Sequence, residues 1–399
     1  MMKKIKLRRD VSFIPAIDKL YVISNEERFS VADRKSINLL GHLAGLISRA
    51  TPKDEILQRF SANDRDAVTT IIDVLCQRGL IINDHHGHGE DTSKRADRIS
   101  QPNVTFIGHA TLLIKTNDFN ILTDPWIFAH DNSIQQLPHP ITFDELPDLD
   151  LICISHSHSD HMHLPTLFRL DKQIPVIVPL IESPNEYNFS LKDLLYRFGF
   201  ERVTCLRTWE DFKLNDLSVT RTPCHKAWTV TEQATWLIES PEISIFCGGD
   251  MMEDEQVMKA IGKNYNLDLA FLPISGYSQR IGGLAFKELF PVETHNLILR
   301  DAMGVNQAVQ ATQWMRPRFA VGYANGGAYW YHRPEESITD EGGSEFVKIL
   351  EQRNPQVIGI DMKPGDTWEH KSERLLPFVG SIPGGLPDSS RTTPRKPRR

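Results

Sequence analysis

The chain has 399 residues, 40% of them hydrophobic and 24% charged, proportions that fit a globular protein with room for two cores and exclude a disordered or fibrous one. A net charge of −7 gives no field that would draw nucleic acid, and the one strongly basic stretch, Arg395-Lys396-Pro397-Arg398-Arg399, is a short solvated end. Five scattered cysteines, Cys76, Cys153, Cys205, Cys224 and Cys247, form no C-x-x-C pair and point to a reduced, cytoplasmic protein, and no run reaches the roughly 18 apolar residues of a membrane span or forms the apolar region of a signal peptide.

Residues 10–83 form one compositional unit. Leu20-Tyr21-Val22-Ile23 reads as a strand and Arg34 to Ala44 as a helix. Thr51-Pro52 ahead of Lys53-Asp54 predicts a second helix, with Thr51 as its cap and Pro52 in its first turn. A third helix is expected from Asp64 to Arg78, with Ala67, Ile71, Ile72, Val74 and Leu75 as its apolar positions; it closes at Gly79, and Leu80-Ile81-Ile82 follows as a short strand. Small strands, three helices and a closing strand suggest a winged-helix domain. Asp64, Asp66 and Asp73 on the third helix would repel phosphate, which argues against DNA as partner. The pattern resembles the leader-recognition element of ribosomal-peptide maturation enzymes, related to the pyrroloquinoline-quinone peptide chaperone. That resemblance implies a precursor's leader peptide as partner, bound as an added strand at a sheet edge. A structural or dimerising winged helix is the alternative.

Residues 84–101 are polar, contain glycine and lack a period, so they read as a linker. The segment 102–377 carries the chemistry, and 378–399, rich in Pro, Gly, Ser and Arg, reads as a disordered basic tail. The chemical segment opens with Val104 to Ile114 and Phe119 to Trp126, two strands joined at Asn117-Asp118. Helix and strand signals then alternate as far as Phe319 to Tyr323 and Val357 to Ile360.

The most specific stretch follows the apolar run Leu149 to Ile154. There His156, His158, Asp160, His161 and His163 crowd into eight positions at a strand's carboxyl end, where the sites of α/β proteins gather. His156 and His158 project to one side of an extended chain and suit one cation; Asp160 and His161 face a second. Imidazole and carboxylate are the ligands that borderline divalent metals take. His225, at the end of a strand, is the expected third nitrogen ligand, and Asp250, delivered through Gly248-Gly249, the expected bridge.

The series His156-x-His158-x-Asp160-His161, His225, Asp250, after the strand end Asp124-Pro125, resembles the metallo-β-lactamase superfamily. The resemblance implies an α/β fold, an αβ/βα sandwich with metals at one edge, here preceded by the small winged-helix domain. Within the superfamily, the run from Gly108 to Ile114 together with Leu122 to Pro125 is similar to N-acylphosphatidylethanolamine phospholipase D and the ascorbate-phosphate lactonases. A fuller set, including Thr123 to Trp126, Ile154 to His161, Arg316 to Tyr323 and Pro364 to Trp368, resembles the CMP-N-acetylneuraminate hydroxylase family, without its Rieske module. The last histidine of the hydrolytic branch is replaced by Tyr323-Ala324-Asn325. Tyr323 is therefore the favoured substitute ligand, with Asn325, His163 and His295 as alternatives.

The expected cofactor is one or two divalent ions, zinc first and iron or manganese after it. Asp160 and His161 are the catalytic candidates within the ligand set, Asp160 also orienting the attacking water. Asp124 is expected to hold the free ring N–H of a ligand histidine, and His109 to support the ligands or orient substrate. The functional reading is a metal-dependent hydrolase tailoring a ribosomal peptide. Its alternatives are an iron-dependent hydroxylase, a free-standing phosphodiesterase or lactonase, and a non-catalytic peptide-binding partner.

Overall fold

A computed structural model describes residues 4–16, 18–84, 101–127, 141–184, 188–224, 232–276, 278–280, 291–300, 302–324 and 342–378. The linker and tail expected at 84–101 and 378–399 lie almost wholly outside these residues, as does His225. The chain divides into two compact units. The first gathers Met1–Ser100, Asn120–Phe128 and Ile141–Leu206; the second gathers Gln101–Phe119, Ala129–Pro140 and Arg207–Arg399. Among the described residues no helix is long and apolar enough to cross a membrane.

In the first unit the strand Lys4–Leu7 pairs antiparallel with both Thr51–Pro52 and Ile81–Asp84. Its Lys-Ile-Lys-Leu alternation puts Ile5 and Leu7 into the core and leaves Lys4 exposed, a short period that reads in the sequence only as a basic terminus. Ser12–Pro15, Leu20–Ile23 and Arg28–Val31 form an antiparallel meander. The three expected helices are present as Arg34–Ile47, Lys53–Gln58 and Arg65–Gln77. Asp33 caps the first by accepting the Ser36 N–H at 2.7 Å. Thr51 does not cap the second: it is drawn into the sheet opposite Ile5, its hydroxyl donates to Leu46 O at 2.7 Å, and Pro52 holds the cap position.

The same unit contains four parallel strands, Asn120–Thr123, Leu151–Cys153, Val176–Pro179 and Val203–Leu206. Leu151–Cys153 and Val176–Pro179 are buried throughout, the continuous apolar run that parallel strands covered on both faces require. Parallel pairing brings the carboxyl ends of Asn120–Thr123 and Leu151–Cys153 side by side, so Asp124 and the loop beginning at Ile154 emerge together.

In the second unit the expected single strand from Val104 to Ile114 is two strands, Asn103–Gly108 and Thr111–Lys115, paired antiparallel. The chain reverses at Gly108 (φ 153) and His109 (φ 49), which hydropathy alone does not show. Thr367–Glu369 adds to Asn103–Gly108, and Arg374–Leu376 to Thr367–Glu369. A seven-stranded sheet runs from Asp211–Leu214 through Leu217–Pro223, Ala234–Glu239 and Ser244–Cys247, all antiparallel. It continues in parallel through Leu269–Pro273, Phe319–Tyr323 and Ile358–Ile360. Helices Glu255–Asn264, Val305–Met315 and Gly343–Arg353 contribute Met258, Val309 and Phe346 to an apolar core with Phe246, Ala270 and Leu272.

Candidate metal centre

Asp124 leaves the strand Asn120–Thr123 with a left-handed backbone (φ 39) and is 3% exposed. Its Oδ1 accepts the Ser155 N–H at 2.6 Å, and its Oδ2 accepts the Ser155 hydroxyl at 2.7 Å. The same Oδ2 lies 2.7 Å from His161 Nδ1, and Ser155 Oγ lies 2.9 Å from His156 Nδ1. An ionised carboxylate only accepts, so the Ser155 hydroxyl donates to Asp124 and is left to accept from His156. Both imidazoles are then protonated at Nδ1, and both Nε2 atoms carry lone pairs. This is the arrangement by which outer-shell partners prepare metal-ligating histidines.

Ser155 is the part of this network that the sequence does not single out. Its signal is a hydroxyl residue between a buried strand and the first candidate ligand histidine. Without the tie to Asp124 the two rings would be free to exchange tautomers.

His156 and His161 are fully buried. His158 is exposed and Asp160 half-buried, so the loop points from the core towards solvent. His158 O accepts the N–H groups of His161 and Met162 at 3.0 and 2.7 Å, closing the turn that places His158 and His161 at its two ends. His163, an alternative ligand in the sequence, caps the helix Leu164–Phe168 through one ring nitrogen: its Nδ1 accepts the Thr166 N–H at 3.3 Å and is 2.8 Å from Thr166 Oγ1. Behind this short helix Lys172 Nζ, fully buried, donates to the carbonyls of Leu167, Phe168 and Leu170 at 3.0, 2.8 and 2.6 Å. It thereby satisfies carbonyls that the helix end leaves open.

In the second unit Asp250 follows the strand Ser244–Cys247 after Gly248 and Gly249, and Tyr323 ends the strand Phe319–Tyr323. The Tyr323 hydroxyl oxygen accepts the Gly249 N–H at 2.6 Å. His109 is 4% exposed, and its carbonyl accepts the N–H of Ala324 at 3.0 Å. His109, Asp124 and Ala324 all take the left-handed backbone that non-glycine residues adopt at a cost of about 1–3 kcal/mol, and such residues cluster at functional strand ends.

Two sets of donor groups stand out among the described residues. The first unit supplies His156, His158, Asp160 and His161, and the second supplies His109 and Asp250. His156 Nε2 and His158 Nδ1 are 2.9 Å apart. His109, a supporting residue in the sequence, thus falls among the donors. His225 lies outside the described residues, two positions beyond the strand Leu217–Pro223, and His295 belongs to neither set. A donor set of imidazoles and carboxylates, with ring tautomers already fixed, fits divalent borderline ions.

An α/β protein with imidazole and carboxylate donors at its strand ends defines a class of metalloprotein. The beta-lactamase superfamily domain model matches residues 103–323, more than half of the chain, and the chain belongs to this superfamily. A UPF0173 metal-dependent hydrolase of Caldivirga maquilingensis is 30% identical over 266 residues, 66% of this chain and 96% of that protein. The N-acyl-phosphatidylethanolamine-hydrolyzing phospholipase D 1 of Caenorhabditis elegans is 24% identical over 296 residues, 67% of this chain and 75% of that one. The cytidine monophosphate-N-acetylneuraminic acid hydroxylase of Asterias rubens matches only 20% of this chain and 13% of its own length, at 37% identity. Among solved structures, CmlA, a diiron β-hydroxylase from Streptomyces venezuelae, is similar in fold with a TM-score of 0.60 at 16% identity, over 90% of this chain and 64% of that one.

Proposed function

We propose that the chain is a metal-dependent hydrolase acting on a substrate with a carbonyl or phosphoryl oxygen. The observation that supports this most is the Asp124–Ser155 tie, which holds the His156 and His161 rings by their Nδ1 atoms and so suits them to ligate through Nε2. His156, His158 and Asp250 would hold one ion, joined by His225, and His109, Asp160 and His161 the other. Ions bound there supply Lewis acidity and bring a water's pKa towards about 7. Asp160, half-buried at the loop's solvent side, orients the attacking water by accepting its hydrogen bond. Asp124 and Ser155 keep the two Nδ1 protons in place while charge changes at the centre.

The test is elemental analysis of protein purified without added metal, followed by turnover of ester, lactone and phosphodiester substrates before and after chelation. Bound zinc and chelator-sensitive hydrolysis are the expected outcome. Bound iron with oxygen-dependent turnover would instead establish an iron-dependent oxidation, because zinc cannot change oxidation state. That second reading is favoured by the likeness to a diiron hydroxylase, which extends over 90% of the chain.

The amino-terminal residues, in the same proposal, act as a leader-recognition module and take a peptide. Arg28–Val31 is an outer strand of its meander, and its alternation turns Phe29 and Val31 to one face. These two side chains line an apolar groove with Leu40, Ile71, Val74 and Leu75. An extended peptide added to this edge would gain main-chain hydrogen bonds and set alternate apolar side chains into the groove. Val74, 39% exposed, can be changed to Asp without opening the core. Val74→Asp is expected to weaken binding of an extended, apolar-alternating peptide about tenfold or more, read by fluorescence anisotropy, with metal content unchanged. Equal binding by both proteins would remove the groove from the proposal.

A further inference from the structure

The turn that carries Asp250 is braced by a side chain 74 residues away. After the strand Ser244–Cys247, Gly248 N–H donates to Phe271 O at 2.9 Å and Met251 N–H donates to Gly248 O at 3.1 Å, so residues 248–251 form a tight reverse turn. Gly249 takes its second position with φ 55, a conformation that glycine enters without a Cβ clash. The residue that permits the turn is also the one with the most backbone freedom to lose, and Asp250 comes next. The Tyr323 hydroxyl, on a side chain 1% exposed and packed 5.4 Å from the Phe271 ring centroid, accepts the Gly249 N–H at 2.6 Å. One residue on, Ala324 donates its N–H to the His109 carbonyl. Two consecutive residues at one strand end therefore hold the backbones carrying two donors, Asp250 and His109.

We propose that Tyr323 is a positioning residue for metal binding. Its phenolic oxygen fixes the 248–251 turn so that the Asp250 carboxylate is presented as a ligand, and Tyr323 is not itself a ligand. This rests on Asp250 belonging to the metal centre. The physical content is preorganisation: a turn already ordered by the Gly249 hydrogen bond loses less freedom when the carboxylate binds.

Zinc affinity is measured on the full chain by competition with a chromogenic chelator, for the wild type, Tyr323→Phe, Asp250→Asn and the double variant. Tyr323→Phe keeps the ring and removes the acceptor. It is expected to retain the wild-type circular dichroism and to lose about 10- to 100-fold in zinc affinity, the usual effect of removing an outer-shell partner. In the Asp250→Asn background the same change is expected to add nothing, because the brace acts through that carboxylate. A full further loss in the double variant overturns the proposal in favour of direct ligation. So does a phenolate-to-iron charge-transfer band in the ferric-loaded wild type, a readout that needs no variant to fold. If Asp250→Asn binds zinc like the wild type, the metal-centre assignment fails; if it binds weakly while Tyr323→Phe does not, only the brace fails.

Discussion

Replacing His158 by alanine is expected to abolish tight zinc binding and all metal-dependent turnover while leaving the fold intact. His158 is exposed, so its loss opens no cavity, yet its Nδ1 lies 2.9 Å from the Nε2 of buried His156, beside it in the donor set of the first unit. Removing a direct ligand should exceed the roughly 10–100-fold loss that follows removal of an outer-shell partner. A ligand that binds only the folded state raises its stability by mass action. The wild type should accordingly show a zinc-dependent rise in Tm, and His158→Ala should show none at the same zinc concentration. Full zinc content in the purified variant would remove His158 from the ligand set.

Deleting residues 1–100 is expected to leave a chain that neither folds cooperatively nor retains metal. The sequence alone predicts the reverse, since every candidate ligand lies after Val104 and the first hundred residues read as a separable module. In the structure, however, the first unit closes its core with both parts. Phe13 stacks on Phe168 with ring centroids 4.9 Å apart. Arg169, at the end of the helix that His163 opens, is 2% exposed. It donates to Ser48 Oγ at 3.2 Å and to Val11 O at 3.4 Å, and it lies over the Phe143 ring. Burial pushes its pKa down to about 10, with Asp144 and Asp10 opposing the shift. A Cβ on Gly45 would come within 2.7 Å of Leu170 O, so the helix Arg34–Ile47 meets this segment backbone to backbone.

Deletion would strip partners from a buried cation, at about 3–5 kcal/mol, and uncover Phe168, at about 1.5–3 kcal/mol. Against a typical total stability of about 5–15 kcal/mol, that is enough to unfold the segment that begins two residues after His161. Circular dichroism, limited proteolysis and zinc content of the truncated chain decide the matter. A folded, zinc-replete remainder would show that the first hundred residues are dispensable to the centre.

What was legible in the sequence was what neighbouring residues determine together. The apolar run to Ile154 followed by His156, His158, Asp160 and His161 declares a strand end bearing candidate metal ligands, because strand periodicity and ligand spacing both act over a few positions. The helices at Arg34–Ile47 and Arg65–Gln77 were legible for the same reason, their apolar positions recurring each turn. Tertiary structure alone decided the rest. Lys4–Leu7 is a strand because Ile81–Asp84 and Thr51–Pro52 supply its hydrogen bonds, and a four-residue run has too little period to announce itself. Asp124 meets Ser155 and His161 because two parallel strands end side by side, and Tyr323 reaches Gly249 because Phe319–Tyr323 pairs with Leu269–Pro273. A local period records which face of an element seeks the core. Which hydroxyl or carboxylate finds which backbone N–H depends on strand order, and pairing between distant segments sets that order.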